Sequence, residues 1–107
     1  MFVSVLLLSV SFCIHSQHLL SGYVIKEKAK TPLEFATVVL YTADSALLKG
    51  SITNGKGIFQ FDAVRDGYYT LEVRLIGYQT VRQPVNVCGA DTDFRFALVE
   101  FKLEKLL

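Results

Sequence analysis

The chain has 107 residues, of which 51% are hydrophobic, and a formal net charge of +1. This length supports one domain, and the apolar fraction is sufficient for a packed core. The near-neutral charge, with basic residues scattered along the chain, excludes a strong electrostatic case for binding nucleic acid or an anionic membrane surface.

The first sixteen residues differ from the rest of the chain. Phe2–Ile14 is apolar apart from small polar residues, and no Lys or Arg follows Met1. The stretch is shorter than the roughly 20 residues that span a bilayer and has the length of the apolar region of a secretory signal. We therefore predict a signal peptide over residues 1–16, cleaved after Ser16. A first strand or a buried N-terminal helix is the alternative, and the sequence does not say whether Met1 is the true start.

Seven segments of alternating apolar and polar residues follow, each bounded by turn residues. They cover residues 21–25, 35–42, 47–53, 58–61, 68–75, 80–87 and a last strand that starts at residue 93. Apolar residues on both faces of the second strand predict a central position. Pro84 has no N–H to donate, so we predict that the sixth strand lies at an edge of its sheet or contains a bulge. In the seventh strand the apolar–polar alternation shifts by one residue, which predicts a bulge near Leu98 or a short terminal helix from Glu100.

Turns that contain glycine connect these strands. Asn54-Gly55 tolerates the positive φ angles of a tight turn, so we predict an antiparallel hairpin between the third and fourth strands. Asp66-Gly67 is a second turn of the same chemistry. Short strands at this spacing predict an all-β fold, a seven-stranded antiparallel Greek-key sandwich.

The sequence contains no recognisable catalytic or metal-binding set. Its two histidines, His15 and His18, lie at the predicted cleavage boundary, where we expect solvated residues in a frayed terminus. No histidine follows that could serve a Ser-His-Asp or Cys-His site. Cys88 is expected to be a small buried residue at a strand end. We predict no enzymatic activity, no catalytic residues, no metal and no cofactor.

Four of the five tyrosines are candidate ligand contacts, because a carbohydrate-binding module presents exposed aromatic rings. These candidates are Tyr23, Tyr41, Tyr68 and Tyr78. The more ordinary interpretation is that tyrosine suits a strand and keeps its hydroxyl in water.

The ordered series of segments is similar to a known module. It comprises SGYVI at 21–25, PLEFATV at 32–38, LKGSITN at 48–54, GIFQF at 57–61, GYYTLEV at 67–73 and IGY at 76–78. This series resembles the carboxypeptidase regulatory-like domain, a transthyretin-like (prealbumin-like) sandwich. It resembles in particular the version at the N-terminus of TonB-dependent outer-membrane receptors of Bacteroidetes-type bacteria.

The resemblance implies a prealbumin-like sandwich over residues 17–98, followed by a C-terminal strand extension or linker over 99–107. It implies an exported, non-catalytic module that is periplasmic or associated with the outer membrane and makes protein–protein contacts there. The expected partner is a protein of the cell envelope, with membrane association through a barrel or a partner rather than a transmembrane helix. A glycan is a possible ligand, and nucleic acid is not expected.

Two departures from the family pattern leave alternatives open. The family usually has an acidic turn where this chain has Asn54-Gly55-Lys56, and members of the receptor type continue into a plug and a long barrel. A truncated receptor fragment without independent function is therefore one alternative interpretation, and a carbohydrate-binding module that uses the outward tyrosines is another. A transthyretin-like relative is a hydrolase, but its histidines and its C-terminal Tyr-Arg-Gly-Ser signature are missing here.

Overall fold

The structure, a computed structural model, describes residues 17–101 as seven strands in two facing sheets. The strands are β1 (Gln17–Lys26), β2 (Thr37–Thr42), β3 (Leu47–Ile52), β4 (Ile58–Arg65), β5 (Gly67–Arg74), β6 (Val81–Val87) and β7 (Thr92–Leu98). The first sheet has the order β4-β1-β7 and the second the order β3-β2-β5-β6. The predicted all-β sandwich is confirmed, including the central position of β2 and the edge position of β6.

The predicted signal peptide over 1–16 and the last six residues of the predicted C-terminal extension lie outside the described residues. Within residues 17–101, no helix has the length and apolar character that a membrane crossing requires.

One strand pair runs in parallel, between β1 and β7, with a continuous register from Leu20↔Thr92 to Lys26↔Leu98. The other strand pairs are antiparallel. The difference has a topological cause, because β7 follows β6 of the opposite sheet. It therefore joins β1 by a crossover between sheets and not by a hairpin turn.

The turn at residues 54–57 is tight, as predicted, but the predicted hairpin is wrong. β3 pairs with β2, whereas β4 pairs with β1 in the opposite sheet. The Asn54 side-chain oxygen accepts the N–H groups of Lys56 and Ile58 at 2.9 and 3.0 Å. Gly57 has a φ of 76°, and its carbonyl accepts the Val24 N–H at 2.8 Å. The turn therefore passes the chain from one sheet to the other, where Phe59 is buried.

The core lies between the inner faces of the two sheets. Alternate residues of β2 and β5 meet those of β1, β4 and β7 there, as the alternation predicts. The fully buried aliphatic side chains include Leu20, Val24, Val38, Leu40, Val64, Leu71, Val73 and Leu98. Three phenylalanines complete the core, with the ring centroid of Phe59 lying 6.0 Å from that of Phe61 and 6.2 Å from that of Phe96. Edge-to-face and tilted ring pairs of this kind add to the apolar burial.

Gly22, on the inner face of β1, lies beside the ring of Phe59 and the backbone of β7. A Cβ atom at this position would lie 2.4 Å from the carbonyl oxygen of Phe94 and 2.8 Å from the ring of Phe59. The absence of a side chain thus allows Phe59 to pack against β1 while β7 stays paired with it.

The apolar–polar alternation changes after Leu98 because β7 ends there, so the predicted bulge is wrong. The Gln79 N–H donates to the carbonyl of Val99 at 2.8 Å, and the Phe101 N–H donates to the carbonyl of Gly77 at 2.9 Å. Residues 99–101 therefore leave the first sheet and attach to the turn that follows β5.

Cys88 lies directly after β6 and is exposed, so the expectation that it is buried is wrong.

Substitution of Gly22 by Ala should destabilise the domain by about 1–3 kcal/mol or more, because either the Phe94 backbone or the Phe59 ring must move. Gly50→Ala is the matched control, since no heavy atom lies within 4 Å of the position of its added Cβ. We expect the control to change stability by no more than about 0.5 kcal/mol. Urea denaturation of both variants measures the difference, and equal effects would contradict this packing.

Candidate functional site

Among residues 17–101, no group of three or more His, Cys, Asp or Glu side chains is arranged so that it could bind a metal ion. His18 is the only histidine in this range.

His18 is not a frayed, solvated residue, so that expectation is wrong. β1 begins earlier than predicted, because its pairing with β4 continues to Gln17↔Arg65. The His18 side chain is 11% exposed, and its Nε2 lies 3.0 Å from Oδ1 of the buried Asp66 carboxylate. The same Asp66 oxygen accepts the Gly89 N–H at 3.1 Å. His18 and Asp66 thus join the start of β1, the β4–β5 turn and the β6–β7 loop, while His15 lies outside the described residues.

Two of the four candidate tyrosines lie apart from the others. Tyr23 is on the outer face of the first sheet, where the guanidinium carbon of Arg95 lies 5.6 Å from its ring centroid. Tyr78 is partly buried and packs against the core. Neither contributes to a common ligand surface with the remaining two.

Tyr41 and Tyr68 share the outer face of the second sheet. Tyr41 pairs with Thr70 across β2 and β5, and Tyr68 is two residues before Thr70 on β5. Thr70 borders two shallow depressions, one of about 220 Å³ beside Tyr41 and one of about 370 Å³ beside Tyr68. The structure therefore brings together two of the four residues that the sequence singled out.

Glu72 is a carboxylate that the sequence places on this outer face but does not predict to be buried. Its side chain is 8% exposed, with Arg82 Nη2 3.7 Å from Oε1 and Arg74 Nε 3.9 Å from Oε2. Oε1 accepts no hydrogen bond among the described residues. The two guanidinium groups therefore stabilise the charge at a distance, because a buried carboxylate requires opposite charge nearby.

Tyr41 is coupled to this carboxylate. A hydrogen bond to Glu72 raises the pKa of the Tyr41 phenol above its ordinary value of 10.0, and desolvation and the negative charge of Glu72 act in the same direction. Arg74 and Arg82 oppose the shift. The Arg82 guanidinium carbon also lies 5.8 Å from the Tyr41 ring centroid. One face of the Tyr41 ring therefore has the Arg82 guanidinium as its neighbour.

The opposite end of the same sheet carries an apolar groove of about 550 Å³, which we call the Phe35 groove. It is lined by Phe35, Thr37, Arg74, Leu75, Ile76 and Thr80. Phe35 is 69% exposed and Ile76 is 97% exposed. Exposed apolar side chains gathered in one place mark an interaction surface more often than scattered ones do.

The buried Thr53 holds the backbone around Phe35 in place. Its hydroxyl donates to the carbonyl of Leu33 at 2.7 Å and accepts the Ala36 N–H at 2.9 Å. Its carbonyl accepts the Phe35 N–H at 3.0 Å. Phe35 consequently has a φ of 67°, a left-handed conformation that is strained for a bulky side chain. One signal in the sequence indicated that Phe35 is exposed, because Phe35 shares the parity of the outward-facing residues of β2.

A family model described as the carboxypeptidase regulatory-like domain matches residues 20–99, which include nearly all of the sandwich. The chain belongs to this family. The predicted resemblance is thereby confirmed for a carboxypeptidase regulatory-like domain, whereas the receptor context is not tested by the match. No curated protein matches this domain by sequence.

Solved structures share the fold of this carboxypeptidase regulatory-like domain at low identity. The group B streptococcus pilus 2b backbone protein superposes with a TM-score of 0.70 at 16% identity, over 84% of this chain and 43% of that protein. BcpA, the major pilin subunit of Bacillus cereus, gives 0.69 at 11% identity, over 80% and 31%. The 5-hydroxyisourate hydrolase of Klebsiella pneumoniae gives 0.65 at 19% identity, over 79% and 92%. The chain thus spans less than half of these two pilus proteins, and the likeness shows the fold alone.

The raised pKa of Tyr41 makes part of the stability of the domain dependent on alkaline pH. The folded state retains the phenol proton more strongly than the unfolded state, so this contribution is complete below pH 10 and lost as the pH rises above 10. In difference titrations at 295 nm against Tyr41→Phe, Glu72→Gln should lower the pH at which Tyr41 ionises. Glu34→Gln, which removes an exposed carboxylate elsewhere, should leave it unchanged. An unchanged Tyr41 titration in Glu72→Gln would contradict the coupling.

Proposed function

We propose that this carboxypeptidase regulatory-like domain is a non-catalytic, exported module that binds a protein partner in the cell envelope. The proposal places it at the periplasmic face of the outer membrane, as the N-terminal domain of a TonB-dependent receptor is placed. Family membership and the uncharged apolar stretch of the first sixteen residues support this reading. The Phe35 groove supports a protein partner.

The position of Phe35 carries the proposal. A phenylalanine in the left-handed region costs on the order of 1–3 kcal/mol, and its exposed ring recovers little of that through burial. Thr53 fixes this arrangement through hydrogen bonds on both sides of Phe35. Strain that the surrounding structure maintains, at an exposed aromatic residue, is typical of a binding surface.

The lining of the groove indicates the chemistry of the partner. Leu75 and Ile76 offer apolar surface beside Phe35, and Arg74 is the charged residue of the lining. An apolar side chain next to a carboxylate would fill the groove and face the Arg74 guanidinium. We therefore expect a partner segment in which an aliphatic or aromatic residue adjoins Asp or Glu.

The alternatives rest on other observations. Carbohydrate binding would use Tyr41 and Tyr68 on the outer face of the second sheet, but Arg82 and Glu72 already engage Tyr41. This leaves Tyr68 as the exposed ring of the pair. A fragment of a receptor without independent function would show no dependence of any binding on Phe35.

Phe35→Gly combined with Ile76→Ser should weaken partner binding without loss of stability, because glycine adopts a positive φ without strain. A random peptide display library, panned against the immobilised domain, is expected to yield peptides with an apolar residue beside Asp or Glu. Their binding, measured by isothermal titration calorimetry, should fall at least about tenfold in the double variant. Thermal unfolding should show the variant to be no less stable than the wild type.

Leu47→Ser is the matched control, since Leu47 is 66% exposed at the opposite end of the same sheet. It should leave peptide binding unchanged. Enrichment of no peptide, or of peptides whose binding survives in the double variant, would overturn the proposal. Peptide binding lost in Leu47→Ser but kept in the double variant would move the site away from the groove and overturn it as well.

A further inference from the structure

The four edge strands of the two sheets are not equally protected against the addition of another strand. An open edge presents unpaired N–H and C=O groups, and natural sandwiches guard such edges with inward-pointing charges, bulges or proline. β3 and β6 are the edges of the second sheet, and β4 and β7 are those of the first.

Three of these edges carry such a guard. On β3, Lys49 pairs with the inward-facing Leu40, so its charged side chain points between the sheets, where Nζ donates to the carbonyl of Asp62. On β4, the register with β1 shifts at a bulge in which Ala63 has a φ of 55°. On β6, Pro84 removes a backbone donor.

β7 carries none of these features among the described residues. Its register with β1 is continuous over all seven residues, and its inward positions are apolar, namely Phe94, Phe96 and Leu98. Phe94 is only partly buried, although its ring stacks on Phe96 with centroids 6.1 Å apart. This edge is therefore suited in its backbone to accept a further strand.

The backbone contacts of β7 show which of its residues face the open side. The carbonyl of Leu98 accepts the Glu27 N–H at 2.9 Å, and the carbonyl oxygen of Phe94 lies close to Gly22. Because N–H and C=O directions alternate along a strand, Asp93, Arg95 and Ala97 direct these groups away from β1.

We propose that β7 pairs antiparallel with β7 of a second copy of this chain, about a two-fold axis at Phe94. In this register Asp93 of each copy lies opposite Arg95 of the other, and their outward backbone groups form the hydrogen-bonded pairs. Moving the axis by one residue places Asp93 opposite Asp93, or Arg95 opposite Arg95, and like charges directly opposite each other destabilise a strand pair. Of these three registers, the charge pattern thus favours the one with its axis at Phe94.

The proposed pairing is isologous, so that each favourable contact occurs twice. The two partly buried Phe94 side chains meet at the axis, in a non-hydrogen-bonded pair where side chains approach most closely. The result is a continuous six-stranded sheet across two domains. This inference does not rest on the Phe35 groove, which lies on the other sheet.

Sedimentation equilibrium of the full chain over a range of concentrations tests the pairing with charge-reversal variants at positions 93 and 95. Asp93→Arg and Arg95→Asp each place like charges opposite each other twice, and each should raise the dissociation constant of the dimer about tenfold or more. The double variant Asp93→Arg/Arg95→Asp restores opposite charges in the same register. We expect its dissociation constant to return close to that of the wild type.

Lys28→Asp is the matched control, because it changes the net charge as Arg95→Asp does but lies in an exposed turn after β1. It should leave the dissociation constant unchanged, and thermal unfolding should show that all variants are folded. A wild-type chain that is monomeric up to its solubility limit would overturn the proposal. So would a dimer that the double variant fails to restore, or one that Phe35→Gly disrupts and Asp93→Arg does not.

Discussion

The structure depends on a single constraint, which is that the inner faces of two small sheets must close over one shared core. The sheets have three and four strands, and the apolar inner face of each would be exposed to water without the other. Phe59 of the first sheet is buried in the same core cluster as Leu40 and Leu71 of the second, and its ring lies beside Gly22 of β1. The turn at residues 54–57 follows from this requirement, because it must deliver Phe59 to the sheet opposite β3.

Closing the core leaves the polar and exposed groups at the ends and outer faces of the sheets. The outer face of the second sheet holds a buried carboxylate, Glu72, balanced by two arginines and by the Tyr41 hydroxyl. One end of that sheet presents Phe35 in a strained conformation. On the first sheet, the β7 edge stays open among the described residues. The β7 edge and the Phe35 groove lie on different sheets, whereas Arg74 belongs both to the groove and to the cluster around Glu72.

The local alternation of side chains was enough to predict the strands and their buried faces. The parity of Leu71 and Val73 in β5 is the clearest case, and both are fully buried as expected. The Asn54-Gly55 signal correctly predicted a tight turn but not the pairing beyond it. Turn chemistry is local, whereas the choice of sheet depends on distant residues of β1.

The sites were harder to predict than the fold, for the same reason. His18 is held by Asp66, 48 positions along the chain, and no spacing rule connects the two. The burial of Glu72 depends on side chains from β2 and β6 that cover it. Phe35 fits a strand pattern in sequence, yet the hydrogen bonds of Thr53 place it in an exposed turn.

Native-state hydrogen exchange tests most directly whether the two sheets form one cooperative unit. If they share one core, the slowest amides of β1, in the first sheet, and of β2 and β5, in the second, should exchange through the same global opening. Their opening free energies should then match each other and the free energy of unfolding measured with urea. An opening free energy for β1 that is lower than that of β2 and β5 by more than about 1 kcal/mol would contradict the account, because the first sheet would then open on its own.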